Sequence, residues 1–105
     1  MDKTFAPKGF EWDEHNVRKN WEKHGVSWAE CEEVFFNEPL LVAEVAQSKI
    51  LYKEQRYLAY GIANAKRLLF IVFTARSDNK VRIISARDMS RKERQLYYEE
   101  TKKPD

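Results

Sequence analysis

The spacing of apolar residues along the chain changes twice. From Phe10 to Phe36 they recur at helical spacing, from Leu40 to Arg87 they alternate or run together, and after Ser90 helical spacing returns. Asp13 is a good N-cap, with Trp12 and Val17 placed as a hydrophobic staple, and Gly25 stands where a left-handed C-terminal residue is wanted. A first helix therefore runs to His24 with Val17 and Trp21 on one face. Ser27 and Glu30 form a capping box for a second helix, whose buried stripe is Trp28, Cys31, Val34 and Phe35 and which ends at Asn37-Glu38-Pro39. Trp12, Trp21 and Trp28 are all expected in the core. Strands are predicted at Leu40–Val45, Arg56–Ala63, Arg67–Arg76 and Val81–Arg87, with Gln47–Lys53 a polar loop. Leu68–Phe73 is apolar on both faces, as in a central strand covered on both sides. Ser90 and Glu93 form a second capping box and open a last helix.

The order of elements predicts an α+β fold: two N-terminal helices, a four-stranded antiparallel sheet and a C-terminal helix. Short links between the strands favour a meander with helices packed on it. Residues 1–9 are expected to be a flexible N-terminus, 10–101 a single domain and 102–105 a flexible tail. The chain has 105 residues, 43% hydrophobic and 13% aromatic, enough for one core and too rich in apolar residues for a disordered chain. Its longest apolar run is far too short to span a bilayer, and the N-terminus lacks the pattern of a signal peptide. The lone Cys31 rules out an internal disulfide and fits a reducing cytoplasm. With His15 and His24 it makes no metal-ligand cluster, so neither a metal nor another cofactor is expected. No internal repeat is visible.

Charge separates the two halves. Residues 1–48 hold 5 Lys/Arg against 10 Asp/Glu, a net of −5, and residues 49–105 hold 14 against 7, a net of +7. The second half is the side suited to a polyanion or an acidic partner. Arg56, Arg76 and Arg87 each stand at a strand end. Alternation puts Arg56 with Leu58 and Tyr60, puts Arg76 with Thr74 and Val72, and separates Ser85 and Arg87 from Arg82, Ile84 and Ala86. In a meander Arg56 and Arg76 come together near Glu54, with Arg82 within range, and Arg87 falls at the opposite end. Guanidinium groups present planar forks of donors that suit phosphate. RNA cleavage by its own 2′-hydroxyl needs a base, charge on the phosphorane and an acid. Glu54 can serve as base, arginines supply the charge, and Tyr97, Tyr98 or a lysine can supply the proton. Exposed tyrosines can also stack on bases. Each feature has an ordinary structural explanation too: rim arginines in surface ion pairs, and Tyr97 and Tyr98 as half-buried packing residues of the last helix.

Several stretches in order resemble the BrnT toxin family: FEWDEHNVRKNWEKHGVSWAECEEVFFNEP (10–39), EQRYLAYG, RLLFIVFTAR and RIISARDMSRKERQLY. The resemblance covers roughly residues 10–98. It implies a RelE-like fold and a toxin of a type II toxin–antitoxin module, a metal-independent endoribonuclease that inhibits translation by cutting mRNA. The implied partner is a BrnA-like antitoxin that reaches operator DNA, with a homodimer inside the complex and no membrane. Matching motif positions are Glu54 and Arg56, Thr74 and Arg76, Ser85 and Arg87, and Arg94 and Tyr97. On this reading Glu54, Arg56, Arg76 and Arg87 are catalytic, and Lys53, Arg82, Arg91, Arg94 and Tyr97 bind RNA. Two departures stand out: Gln47–Lys53 has no acidic residue, and Asp88 follows Arg87. The competing expectation is a degenerate toxin, a non-catalytic RNA- or protein-binding module that acts as antitoxin partner and corepressor.

Overall fold

The computed structural model describes residues 7–76 and 78–102. Among these, five strands and four helices follow in the order β1 (Gly9–Glu11), α1 (Glu14–His24), α2 (Trp28–Phe36), β2 (Leu41–Glu44), α3 (Ser48–Tyr52), β3 (Arg56–Ile62), β4 (Leu68–Ala75), β5 (Lys80–Asp88) and α4 (Arg91–Thr101). The sheet order is β1-β5-β4-β3-β2. The class is α+β, but the sheet is mixed: β1 lies parallel to β5, and the other pairings are antiparallel. The expected four antiparallel strands and three helices are thus corrected in two places. Gly9, expected in the flexible N-terminus, begins β1, and the expected loop Gln47–Lys53 contains α3. No described helix is long and apolar enough to cross a membrane.

The predicted caps are present. The Asp13 carboxylate accepts from the backbone of His15 and Asn16, both capping boxes are closed, and Gly25 is left-handed with φ 63. One face of the sheet carries the larger core, where Val26, Cys31, Val34 and Phe35 meet Ile71, Phe73 and Ile83. Burial pushes the Cys31 thiol up to about 12, which makes it a small core hydrophobe. Contact here is so close that a Cβ on Gly61 would sit 2.6 Å from Cγ1 of Val34. The opposite face carries a smaller core of Leu41, Tyr60, Met89 and Tyr97 beneath α4. β4 is therefore fully buried on one face at Leu69, Ile71 and Phe73, and half-covered on the other at Leu68, Phe70 and Val72.

Helix α1 does not pack as its apolar residues predict. Trp21 is 60% exposed, and the buried residues are Asn16 and Asn20. The reason is that α1 lies along the edge of β5 beyond the end of β1, where unpaired backbone groups need partners. Asn16 Nδ2 donates to the Ile83 carbonyl (3.3 Å), Lys19 Nζ to the Ile84 carbonyl (2.9 Å), and the Ala86 N–H donates to Asn20 Oδ1 (3.2 Å). Trp28 is also no core residue at 52% exposure; it stands at the first turn of α2, edge-on to Trp12 at 6.3 Å. Trp12 is half-buried, and its indole donates to Glu32 Oε2 at 2.7 Å.

A bulge in β5 changes the face on which its second half points. Phe73 pairs with Ile83 but Val72 pairs with Ser85, so Ile84 is the extra residue. Val81, Ile83 and Ala86 are buried on the larger core. Arg82, Ser85 and Arg87 consequently share the other face, where simple alternation had separated Arg82 from Ser85 and Arg87.

Candidate functional site

The register builds one cross-strand row at the end of the sheet where β3 begins. Arg56 pairs with Thr74, Thr74 with Arg82, and Arg82 with Glu11. Thr74 is buried at the centre, and its hydroxyl donates to the Gln55 carbonyl at 2.8 Å. Beside this row is an open, largely polar hollow lined by Glu11, Glu54, Gln55, Thr74, Ala75, Arg76 and Asp78. Glu54, Arg56, Arg76 and Arg82 thus gather at one end of the sheet, with Lys53 adjoining.

Each arginine here faces a carboxylate of its own chain. Arg56 Nε meets Glu54 Oε2 at 3.2 Å, Arg76 Nε meets Glu11 Oε2 at 3.5 Å, and Arg82 Nη2 meets Asp13 Oδ2 at 3.0 Å. The Arg82 hydrogen bond, with the backbone donors of the helix cap, holds the Asp13 carboxyl below its ordinary range. The Arg56 guanidinium also lies over the Tyr52 ring, 3.9 Å from its centroid. Arg56 uses only Nε in its ion pair, so among the described residues its two terminal nitrogens have no protein acceptor.

Arg56 is positioned from α3. The Arg56 N–H donates to the buried Ser48 hydroxyl at 2.9 Å, and the Val45 N–H to the Arg56 carbonyl at 2.9 Å. Five residues cannot hold a helix by propensity alone. The turn is held by such contacts and by left-handed residues at both ends, Gln47 (φ 60) and Lys53 (φ 61).

Arg87 is not brought to this row. It pairs with Phe70, four β4 residues from Thr74, which is about 13 Å along the strand. Both its terminal nitrogens are engaged by Glu93, at 2.7 and 2.9 Å, and its guanidinium lies over the Phe70 ring at 4.4 Å. Hydrogen bonding from Arg87 is the main reason the Glu93 carboxyl is held below its usual range. Tyr97, expected to contact RNA, is 2% exposed and donates its hydroxyl to the Pro39 carbonyl at 2.6 Å. Burial pushes that phenol up to about 12. Arg91 and Arg94 are exposed on α4 at the same end as Arg87; Arg94 Nη1 donates to the Met89 carbonyl at 3.2 Å.

Sequence reasoning missed Glu11, Asp13 and Tyr52 as neighbours of these arginines. Glu11 arrives through the parallel pairing of β1, which no local pattern announces. Tyr52, Glu54 and Arg56 are close in the chain, but Tyr52 ends α3 and Lys53 is left-handed, so it is that turn and not strand alternation that brings the ring against Arg56. Among the described residues no group of three or more His, Cys, Asp or Glu side chains is arranged to hold a metal ion.

The sequence model of the ribonuclease toxin, BrnT, of type II toxin–antitoxin systems matches residues 12–93. The chain belongs to the BrnT family. Glu54, Arg56, Thr74 and Arg76, expected as motif positions, all lie inside the matched span, and Glu54, Thr74 and Arg76 line the same hollow. The 1.1 Å crystal structure of the Brucella abortus ribonuclease toxin, BrnT, is similar in fold, with a TM-score of 0.61 at 22% identity over 79% of this chain and 97% of that one. No curated protein matches the chain. Membership of a type II toxin family implies an antitoxin partner for this BrnT-family chain.

Proposed function

We propose that this chain is a metal-independent endoribonuclease that inhibits translation by cutting mRNA, with the row Arg56–Thr74–Arg82 as its active surface. The observation that carries this reading is a cross-strand row, Arg56–Thr74–Arg82, beside an open hollow lined by Glu54 and Arg76, with the terminal nitrogens of Arg56 uncommitted among the described residues. Arg56 and Arg76 bind the scissile phosphate and Arg82 assists. Glu54 takes the proton from the 2′-hydroxyl, whose oxygen attacks phosphorus. The phosphorane's added charge is held by the guanidinium groups. The 5′-oxygen leaves with a proton from a lysine, Lys53 being adjacent in sequence to Glu54, and the product carries a 2′,3′-cyclic phosphate. Metal independence is supported by the local carboxylates: Glu54, Glu11 and Asp13 each face an arginine and Asp78 faces Lys80, rather than converging on a cation site. A BrnA-like antitoxin neutralises the toxin and brings it to operator DNA, with the toxin paired as a homodimer in that complex. The cytoplasm is the compartment where such a substrate and partner occur.

The second reading is a non-catalytic RNA- or protein-binding module, and one observation favours it: an anion approaching Arg56, Arg76 or Arg82 must share or displace an existing carboxylate. Product formation separates the two. Wild type and Arg56→Ala/Arg76→Ala are expressed from a tightly controlled promoter while growth and total RNA are followed, and the purified proteins are given RNA in excess chelator. Growth arrest, RNA loss and cyclic-phosphate ends with wild type alone support the nuclease. Folded wild type that leaves RNA and growth intact overturns it.

A further inference from the structure

We infer that Tyr52 is a stacking platform for an unpaired RNA base, placed beside the phosphate that Arg56 holds; this deepens the nuclease reading and rests on it. Helix α3 presents three successive apolar side chains to water, with Ile50 80%, Leu51 64% and Tyr52 49% exposed. Nothing in folding rewards that arrangement, because burial of these side chains would stabilise the chain and none is buried. The turn is nevertheless held in one place. Its two ends are non-glycine residues in the left-handed region, and its buried Ser48 hydroxyl is tied to the backbone of Arg56. One face of the Tyr52 ring is covered by the Arg56 guanidinium at 3.9 Å. A ring has two faces, and the half-exposed phenol retains surface for a second planar group.

The chemistry around the ring selects a nucleotide as that group. Lys49 and Lys53 flank the apolar strip, and Arg56, stacked on Tyr52 and paired with Glu54 of the hollow, links the two. A single-stranded nucleotide offers what such a site takes: a flat apolar base for the ring and a phosphate for the adjoining cation. Every base has a π-face, so this contact supplies affinity and placement with little choice of base. It sets which phosphate lies under Arg56.

The test measures binding apart from cutting. A labelled single-stranded oligoribonucleotide carrying 2′-O-methyl groups throughout, which lacks the attacking hydroxyl, is titrated against the full-length wild type, Tyr52→Phe, Tyr52→Ala, Arg56→Ala and Tyr52→Ala/Arg56→Ala. Cleavage of the unmodified RNA is followed in parallel, and thermal melts confirm that each variant is folded. Tyr52→Phe is expected within about two-fold of wild type, Tyr52→Ala about ten-fold weaker, and a further loss of at least about three-fold is expected in the Arg56→Ala background, smaller because the two side chains touch. A Tyr52→Ala Kd within two-fold of wild type overturns the inference and leaves the strip to a protein partner. A loss that vanishes in the Arg56→Ala background also overturns it, since Tyr52 then only steadies the arginine. Wild type that fails to bind the oligonucleotide overturns it as well. If wild type cuts nothing yet Tyr52→Ala loses ten-fold in binding, the platform stands and the nuclease reading falls; the reverse pattern sinks the platform alone.

Discussion

Both ends of one sheet face carry the same three parts: an arginine, a carboxylate and an aromatic ring. At one end Arg87 lies over Phe70 and grips Glu93 with two nitrogens; at the other Arg56 lies over Tyr52 and meets Glu54 with one. The difference is in what surrounds them. Glu93 is also fixed by the capping box of α4, and the smaller core closes around Tyr97 and Met89. At the Arg56 end the neighbouring helix is the five-residue α3, and the arginine keeps two nitrogens without a protein acceptor among the described residues. Similar chemistry thus fastens a helix where both terminal nitrogens are engaged and forms a candidate anion site where they remain open.

The largest expected effects test that division directly. Arg56→Ala is expected to lower RNA cleavage about 100-fold or more while changing stability by less than about 1 kcal/mol. Arg87→Ala is expected to do the reverse, costing about 1.5 kcal/mol in a denaturant titration because it leaves the half-buried Glu93 without its cation, with cleavage per folded molecule unchanged. A folded Arg87→Ala that no longer cuts RNA would return Arg87 to the site and break the comparison.

Acid sharpens it next. The Glu93 carboxyl is lowered chiefly by Arg87, and that of Asp88 chiefly by Arg67, which grips it at 2.7 Å. Carboxylates lowered in the folded state contribute stability in full above their unfolded values, near pH 4, and lose it as pH falls through the lower folded values. The melting temperature should therefore drop below about pH 4, and Glu93→Gln should flatten that drop. A wild-type melt indifferent to pH between about 4 and 2 would argue that these bridges add nothing.

Two smaller changes follow. Tyr97→Phe removes the hydrogen bond to Pro39 and is expected to cost about 1 kcal/mol with no change in RNA binding, as measured by denaturation and titration. Glu11→Gln releases Arg76 from a 3.5 Å contact between half-exposed groups. The melting temperature should stay within about a degree, and RNA binding should tighten about two-fold.

Much of the fold was legible because its signals are local. Asp13, Ser27–Glu30, Gly25 and Ser90–Glu93 mark helix ends through contacts within a few residues, and the alternation in β3 and β4 follows from strand geometry. The proximity of Glu54, Arg56 and Arg76 followed from antiparallel order alone. Trp21 was misread because an apolar stripe identifies a buried face only where a helix meets a core, and α1 meets a sheet edge. Helix α3 was missed because five residues carry no usable periodicity.

The sequence by itself determined the class of each long element, the caps, the central apolar strand and the family motifs, since these depend on neighbours along the chain. Only the tertiary structure decided which charges meet. The Ile84 bulge turned Ser85 and Arg87 to the face of Arg82, the parallel β1 delivered Glu11, and α4 closed over Arg87 while the Arg56 end stayed open. The physical reason is range: capping and alternation act over one to four residues, whereas ion pairing and burial depend on distances through space between residues far apart in the chain.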